Sequence, residues 1–187
     1  MISCGGCVCP KVETRLIPAY EADLLGAPFR VMLEDAVREE WCSSCNTKLK
    51  TTIPDLDGLL RAVARTRALC SRRLTGAEIK FFRHAMGWKG KKLAASLGLS
   101  PEHLSRCEHG TKQLSVPVEK WLRVFVLHKV VSKEVRERVD IDEILDMKIL
   151  PVWDVGNPLE LHFYRGRLNK SERTEGNDAE WHLDAAA

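Results

Sequence analysis

The stretch "LAASLGLSPEHLSRCEHG", residues 93–110, decides how the middle of the chain is read. Ser100 is a good N-cap and Pro101 suits the first helical position, so a helix starts there. Gly98 closes the segment before it and Gly110 the segment after it. Inside the new helix only Leu104 and Cys107 stand at apolar i, i+3 spacing, enough for one narrow buried stripe. Glu102, His103, Ser105, Arg106 and His109 are left outward. Two readings follow: a solvated surface helix, or a helix whose polar side meets a polar partner.

Working outward, the neighbours are helical as well. In "LTGAEIKFFRHAMG" (74–87) Thr75 lies three residues before Glu78, a capping box, and Ile79, Phe82 and Met86 keep helical spacing. "KGKKLAASLG" (89–98) turns Leu93, Ala94 and Leu97 inward. "VPVEKWLRVFVLHKVV" (116–131) offers Val118, Trp121, Leu122, Phe125 and Val126 as a broad apolar face. Helix, short Gly-Leu-Ser turn and helix across 90–109 match a helix-turn-helix, whose second helix enters the major groove of DNA. In that geometry Arg106 reaches guanine and Glu102 cytosine N4, with His103 and Ser105 as further base contacts. Lys89, Lys91, Lys92 and Lys112 suit phosphates, which give affinity without sequence information.

Charge supports an anionic partner for this region. Residues 61–130 hold 15 Lys and Arg against 4 Asp and Glu, while both flanks are net acidic and the whole chain is only +3. No run of 18 apolar residues exists, so no membrane span is expected. The cysteine-rich N-terminus has no apolar core of a signal peptide, which makes the cytoplasm the default compartment. Seven cysteines there are expected to be reduced or metal-bound.

Two C-x-x-C pairs, Cys4–Cys7 and Cys42–Cys45, have the spacing of a closed, structural four-thiolate zinc site. The alternatives are unliganded thiols or a redox pair, and Cys9 rivals Cys7. "PFRVML" and "AVREEW" alternate separately and read as a short antiparallel pair. "DLDGLLRAVARTRAL" (55–69) reads as a connecting helix with Leu56, Leu59, Leu60 and Val63 on one face. In the tail a helix is expected around Val135, Val139 and Ile144, and "LELHFYRGR" and "EWHLDA" as a possible strand pair. The expected class is α+β. A small zinc-binding β module (1–53) leads through a connecting helix (54–73) to an all-α helix-turn-helix domain (74–131) and a C-terminal extension (132–187) that can form a β-hairpin.

"LTGAEIKFFRHAMG" followed by "LAASLGLSPEHLSRCEHG" resembles the Xre-type helix-turn-helix domain. With the N-terminal cysteine pairs, the layout resembles the MqsA-like (YgiT-type) zinc-finger/helix-turn-helix proteins over roughly residues 1–130. The resemblance implies a non-enzymatic regulator: a homodimeric repressor on a palindromic operator in double-stranded DNA, with structural Zn2+. It also implies, as the alternative role, an antitoxin that binds a toxin protein through its zinc module or tail. A partly buried ion pair between Arg83 and Glu108 is implied too. The chain departs from the family pattern at Cys107, where an aromatic is common, at the extra Cys9, and in its tail.

Overall fold

The computed structural model describes residues 11–130, 140–152, 159–165 and 181–184. The chain divides into two units, one built from residues 1–22, 31–58 and 160–187, the other from 23–30 and 59–159.

The first unit is a five-stranded mixed sheet of β1 (Val12–Glu21), β2 (Arg30–Cys42), β3 (Lys48–Thr52), β4 (Glu160–Arg165) and β5 (Trp181–Leu183), in the order β1-β2-β4-β5 with β3 also on β2. The pairs β1–β2, β2–β3 and β4–β5 are antiparallel. Val31, Leu33, Val37, Cys42, Leu161, Phe163 and Trp181 are among its buried side chains.

This corrects the expected fold in three respects. The N-terminal region is not the small separate module expected at 1–53, because its sheet is completed by β4 and β5 from the far end of the chain. Among the described residues, moreover, no three His, Cys, Asp or Glu gather to hold a metal. The runs "PFRVML" and "AVREEW" are not a strand pair but one continuous strand, β2. In its middle Asp35 is exposed with φ +47°, and the pairing with β1 slips between Ile17 and Ala19. Two residues, Asp35 and Ala36, there oppose the single Pro18, a β-bulge. The exposed acid between Leu33 and Val37 interrupts the apolar alternation, and read locally that looks like a turn between two strands.

The second unit is helical. Its members are the body of α1 (Leu56–Leu69), then α2 (Gly76–Ala85), α3 (Gly90–Ser96), α4 (Pro101–Glu108), α5 (Val116–Val130) and α6 (Ile141–Asp146). The capping box of α2 is formed in both directions: Glu78 N–H donates to the Thr75 hydroxyl, and Thr75 N–H to the Glu78 carboxylate. Phe82, Leu93, Ala94, Leu104, Cys107, Leu122 and Val126 form the core between α2, α3, α4 and α5. The tail residues 131–139, with Val135 and Val139, lie outside the described residues, whereas Ile144 is buried on α6.

α5 departs from its expected face. Trp121 is half exposed, and the buried side is Leu122, Val126, Leu127 and Val130 together with Glu119 and Arg123. The two charges are tolerated because the Glu119 carboxylate and both Nη atoms of Arg123 are answered, only Arg123 Nε being buried without a hydrogen-bond partner. Glu119 accepts from Arg123 at 2.8 Å and from Leu74 N–H at 3.0 Å. Arg123 donates to the carbonyls of Ala68, Cys70 and Arg72. Arg67, also fully buried, pairs with Glu78 and donates to the carbonyls of Arg72 and Arg73. Two guanidiniums therefore collect the carbonyls of the connector between α1 and α2, which would otherwise be buried without donors.

Candidate nucleic-acid interface

The turn between α3 and α4 is built by local chemistry. Gly98 takes φ +65°, which a side chain would oppose, and Leu99 N–H returns to the Ala94 carbonyl at 2.9 Å. The Ser100 hydroxyl then accepts the His103 N–H at 3.1 Å and starts α4.

From behind, α4 is held at three points. Leu104 and Cys107 enter the core, where burial pushes the Cys107 thiol up and keeps it inert. Arg83 of α2 grips Glu108 with both prongs, Nε to Oε1 at 2.6 Å and Nη2 to Oε2 at 3.1 Å, and its third nitrogen reaches the Trp88 carbonyl at 3.4 Å. At Gly76 the start of α2 lies against the end of α4: a Cβ there would stand 2.5 Å from the Cys107 carbonyl oxygen and 2.7 Å from that of Glu108.

The front of α4 is polar. Glu102, Ser105 and Arg106 are exposed, and His103 is half-buried. Glu102 is partly engaged at the cap: its own backbone N–H, then the Ser100 hydroxyl, hold its carboxyl below the usual carboxylate range. Ser105 is tied to His109, whose Nδ1 is 2.7 Å from the Ser105 carbonyl oxygen. The Arg106 carbonyl accepts from Thr111 N–H and hydroxyl, which fastens the loop bearing Lys112 while both cationic side chains stay exposed. Lys89, Lys91 and Lys92 are exposed at the start of α3, and the Lys92 Nζ lies 4.7 Å from the centroid of the Trp88 ring.

Ion pairing sharpens the charge of this region. Of the four acids between residues 61 and 130, Glu78, Glu108 and Glu119 are spent on Arg67, on Arg83 and on Arg73 with Arg123. Glu102 alone remains as a surface carboxylate among the other eleven lysines and arginines. The buried arginines could not be told from surface ones by composition. Their one signal was Glu119 and Arg123, charged at i, i+4 on a helix otherwise read as apolar.

At the end of β2, Cys42 is buried and Cys45 exposed on a tight turn, in which Asn46 N–H donates to the Cys42 carbonyl and Cys42 N–H to the Thr47 carbonyl. Ser43 donates to the Lys11 carbonyl through both its N–H and its hydroxyl, at 3.3 and 2.9 Å. Cys4 and Cys7, the expected first pair of zinc ligands, and Cys9 lie outside the described residues. No helix among the described residues is long and apolar enough to cross a membrane.

No family model, no curated protein and no solved structure matches the chain.

Proposed function

We propose that residues 74–130 bind double-stranded DNA sequence-specifically, with α4 in the major groove, and that the protein is a dimeric transcriptional repressor. The observation that carries this is the contrast between the two sides of α4. Its back is anchored by Leu104, Cys107, the Arg83–Glu108 pair and the close approach of Gly76, while its front keeps Ser105 and Arg106 in water. A merely solvated helix has no need of such fixed orientation; a helix that reads base edges does. The lysines at the start of α3 and Lys112 after α4 flank it as phosphate contacts.

One two-turn helix makes few base contacts, so two copies on half-sites roughly 34 Å apart are part of the proposal. A Zn2+ ion on Cys4, Cys7, Cys42 and Cys45 is proposed as a structural cofactor. It is supported by the turn at 42–47 and by the Lys11–Ser43 hydrogen bonds, which bring the chain two residues after Cys9 to that turn. Elemental analysis of the full chain and of Cys42→Ser checks it: one zinc per chain, lost in the variant.

Selection of random duplexes with the full-length protein tests DNA binding. Enrichment of a paired half-site, with affinity that falls steeply as salt rises, is expected. Failure to enrich any sequence over the starting pool would overturn the proposal.

A further inference from the structure

Beside the α4 face lies an aromatic surface that DNA reading does not use. Trp88, Phe125 and Trp121 follow one another as tilted rings, with centroids 6.0 Å and 6.3 Å apart in turn. Trp121 is 49% exposed, on a helix whose opposite side is fully buried. Lys92 and Lys129 both lie over the Trp88 ring, with Nζ atoms 4.7 and 6.0 Å from its centroid. Each ammonium is attracted to the negative face of the indole. Among the described residues no carboxylate pairs with either lysine, and the acid of α5, Glu119, is buried on Arg123.

We propose that this surface is a docking site for a protein segment that combines apolar side chains with carboxylates. Half-exposed tryptophan is costly to leave in water and is the side chain that most often anchors an interface. Two ammoniums held near one ring make this surface cationic, which an acidic segment complements. A second copy of the same surface would set two more lysines against these two. Duplex DNA would satisfy Lys92 but offers Trp121 no apolar contact along its phosphates. Lys92 also belongs to the proposed DNA face, so an acidic partner here competes with DNA if that reading holds; the docking proposal itself does not depend on it.

A random dodecapeptide library displayed on phage, selected against the full-length chain, is the test. Enriched peptides are then resynthesised and titrated by tryptophan fluorescence against the parent protein, Trp121→Ser and the double variant Lys92→Gln/Lys129→Gln. The expected result is enrichment of sequences joining Asp or Glu to Leu, Phe or Trp, with dissociation constants raised at least about tenfold in both variants. No enrichment, enriched peptides without carboxylates, or binding indifferent to both variants would overturn the proposal. So would micromolar self-association of the chain abolished by Trp121→Ser, which assigns the surface to a second copy. Equal loss of duplex-DNA affinity in Trp121→Ser and Lys92→Gln assigns it to nucleic acid and overturns it as well.

Discussion

α4 and α5 each carry a glutamate followed four residues later by an arginine, and they use the pair in opposite ways. Glu102 and Arg106 of α4 are exposed, while Glu119 and Arg123 of α5 are 1% and 0% exposed. At i, i+4 on an isolated helix such a pair contributes only about 0.2–0.5 kcal/mol. In α4 it stays near that scale, because Glu102 turns to the helix cap and no ion pair closes within 4 Å. In α5 the pair closes at 2.8 Å and then serves others: Leu74 N–H on the acid, three connector carbonyls on the base. The same local pattern is a structural bolt where water is excluded and a set of free contacts where it is not.

The comparison breaks most sharply by removing one charge from each helix. Arg123→Ala should cost about 3–5 kcal/mol, because it strands the buried Glu119 carboxylate. The connector carbonyls of Ala68, Cys70 and Arg72 lose a donor at the same time. Glu102→Ala should change stability by no more than about 1 kcal/mol. Urea unfolding of the two variants measures both, and similar losses would refute the division.

Gly76→Ala comes next. Its Cβ would meet backbone atoms of Cys107, Glu108 and Gly110 at 2.5–2.7 Å, none of which is the end of a flexible side chain. A loss of about 2–3 kcal/mol is expected, at the upper end for overpacking. Because the clash pushes on α4, the proposed DNA affinity should fall even at temperatures where the variant is fully folded. Unchanged stability would show that the two helices part without cost.

Glu108→Ala should cost about 2 kcal/mol. The stranded Arg83 is 16% exposed, so water relieves part of what a fully buried partner would lose. Calorimetry gives the stability, and a Glu108→Gln variant that keeps one hydrogen bond should recover part of it.

These magnitudes also show which features local sequence could carry. The start of α2, the Gly98 turn and the cap of α4 are set by residues within four positions of each other, and Thr75, Glu78, Ser100 and Pro101 announce them. The sheet is different. β1 is exposed along most of its length, so it lacks the alternating apolar face that marks a strand, and the bulge opposite Pro18 splits the pattern of β2. β4 carries its alternation in Leu161 and Phe163, but its place beside β2 depends on pairing across more than a hundred residues. The burial of Glu119 and Arg123 is likewise a tertiary fact: what makes it tolerable lies fifty residues upstream.

Protonation offers a smaller handle, in the sheet. His162 bridges two carboxylates, Nδ1 to Glu34 and Nε2 to Glu160, each at 2.9 Å. The Glu34 hydrogen bond first, then that of Glu160, raises its pKa above the ordinary imidazole value of about 6.5. A raised folded pKa gives stability that is complete below the unfolded value and is lost as pH rises through the folded one. The imidazole is 24% exposed, so less than about 1 kcal/mol is expected. Unfolding curves from pH 6 to 9 should show this loss in the parent and not in His162→Gln.

The smallest effect on stability belongs to Arg106, and it is the sharpest test of what exposed charge on α4 is for. Arg106→Ala removes an exposed side chain while its carbonyl keeps the Thr111 hydrogen bonds, so stability should stay within about 0.5 kcal/mol. If the guanidinium reads guanine O6 and N7, as proposed, affinity for the selected duplex should fall by about 1–3 kcal/mol and discrimination should relax at one position of each half-site. A phosphate contact behaves differently. Binding would weaken equally on selected and scrambled duplexes, and the salt slope would drop by about one. Titrating both duplexes at several salt concentrations separates the two, and an Arg106→Lys variant adds a check. Lysine keeps the charge but not the planar fork, so it should restore a phosphate contact and leave a base contact broken.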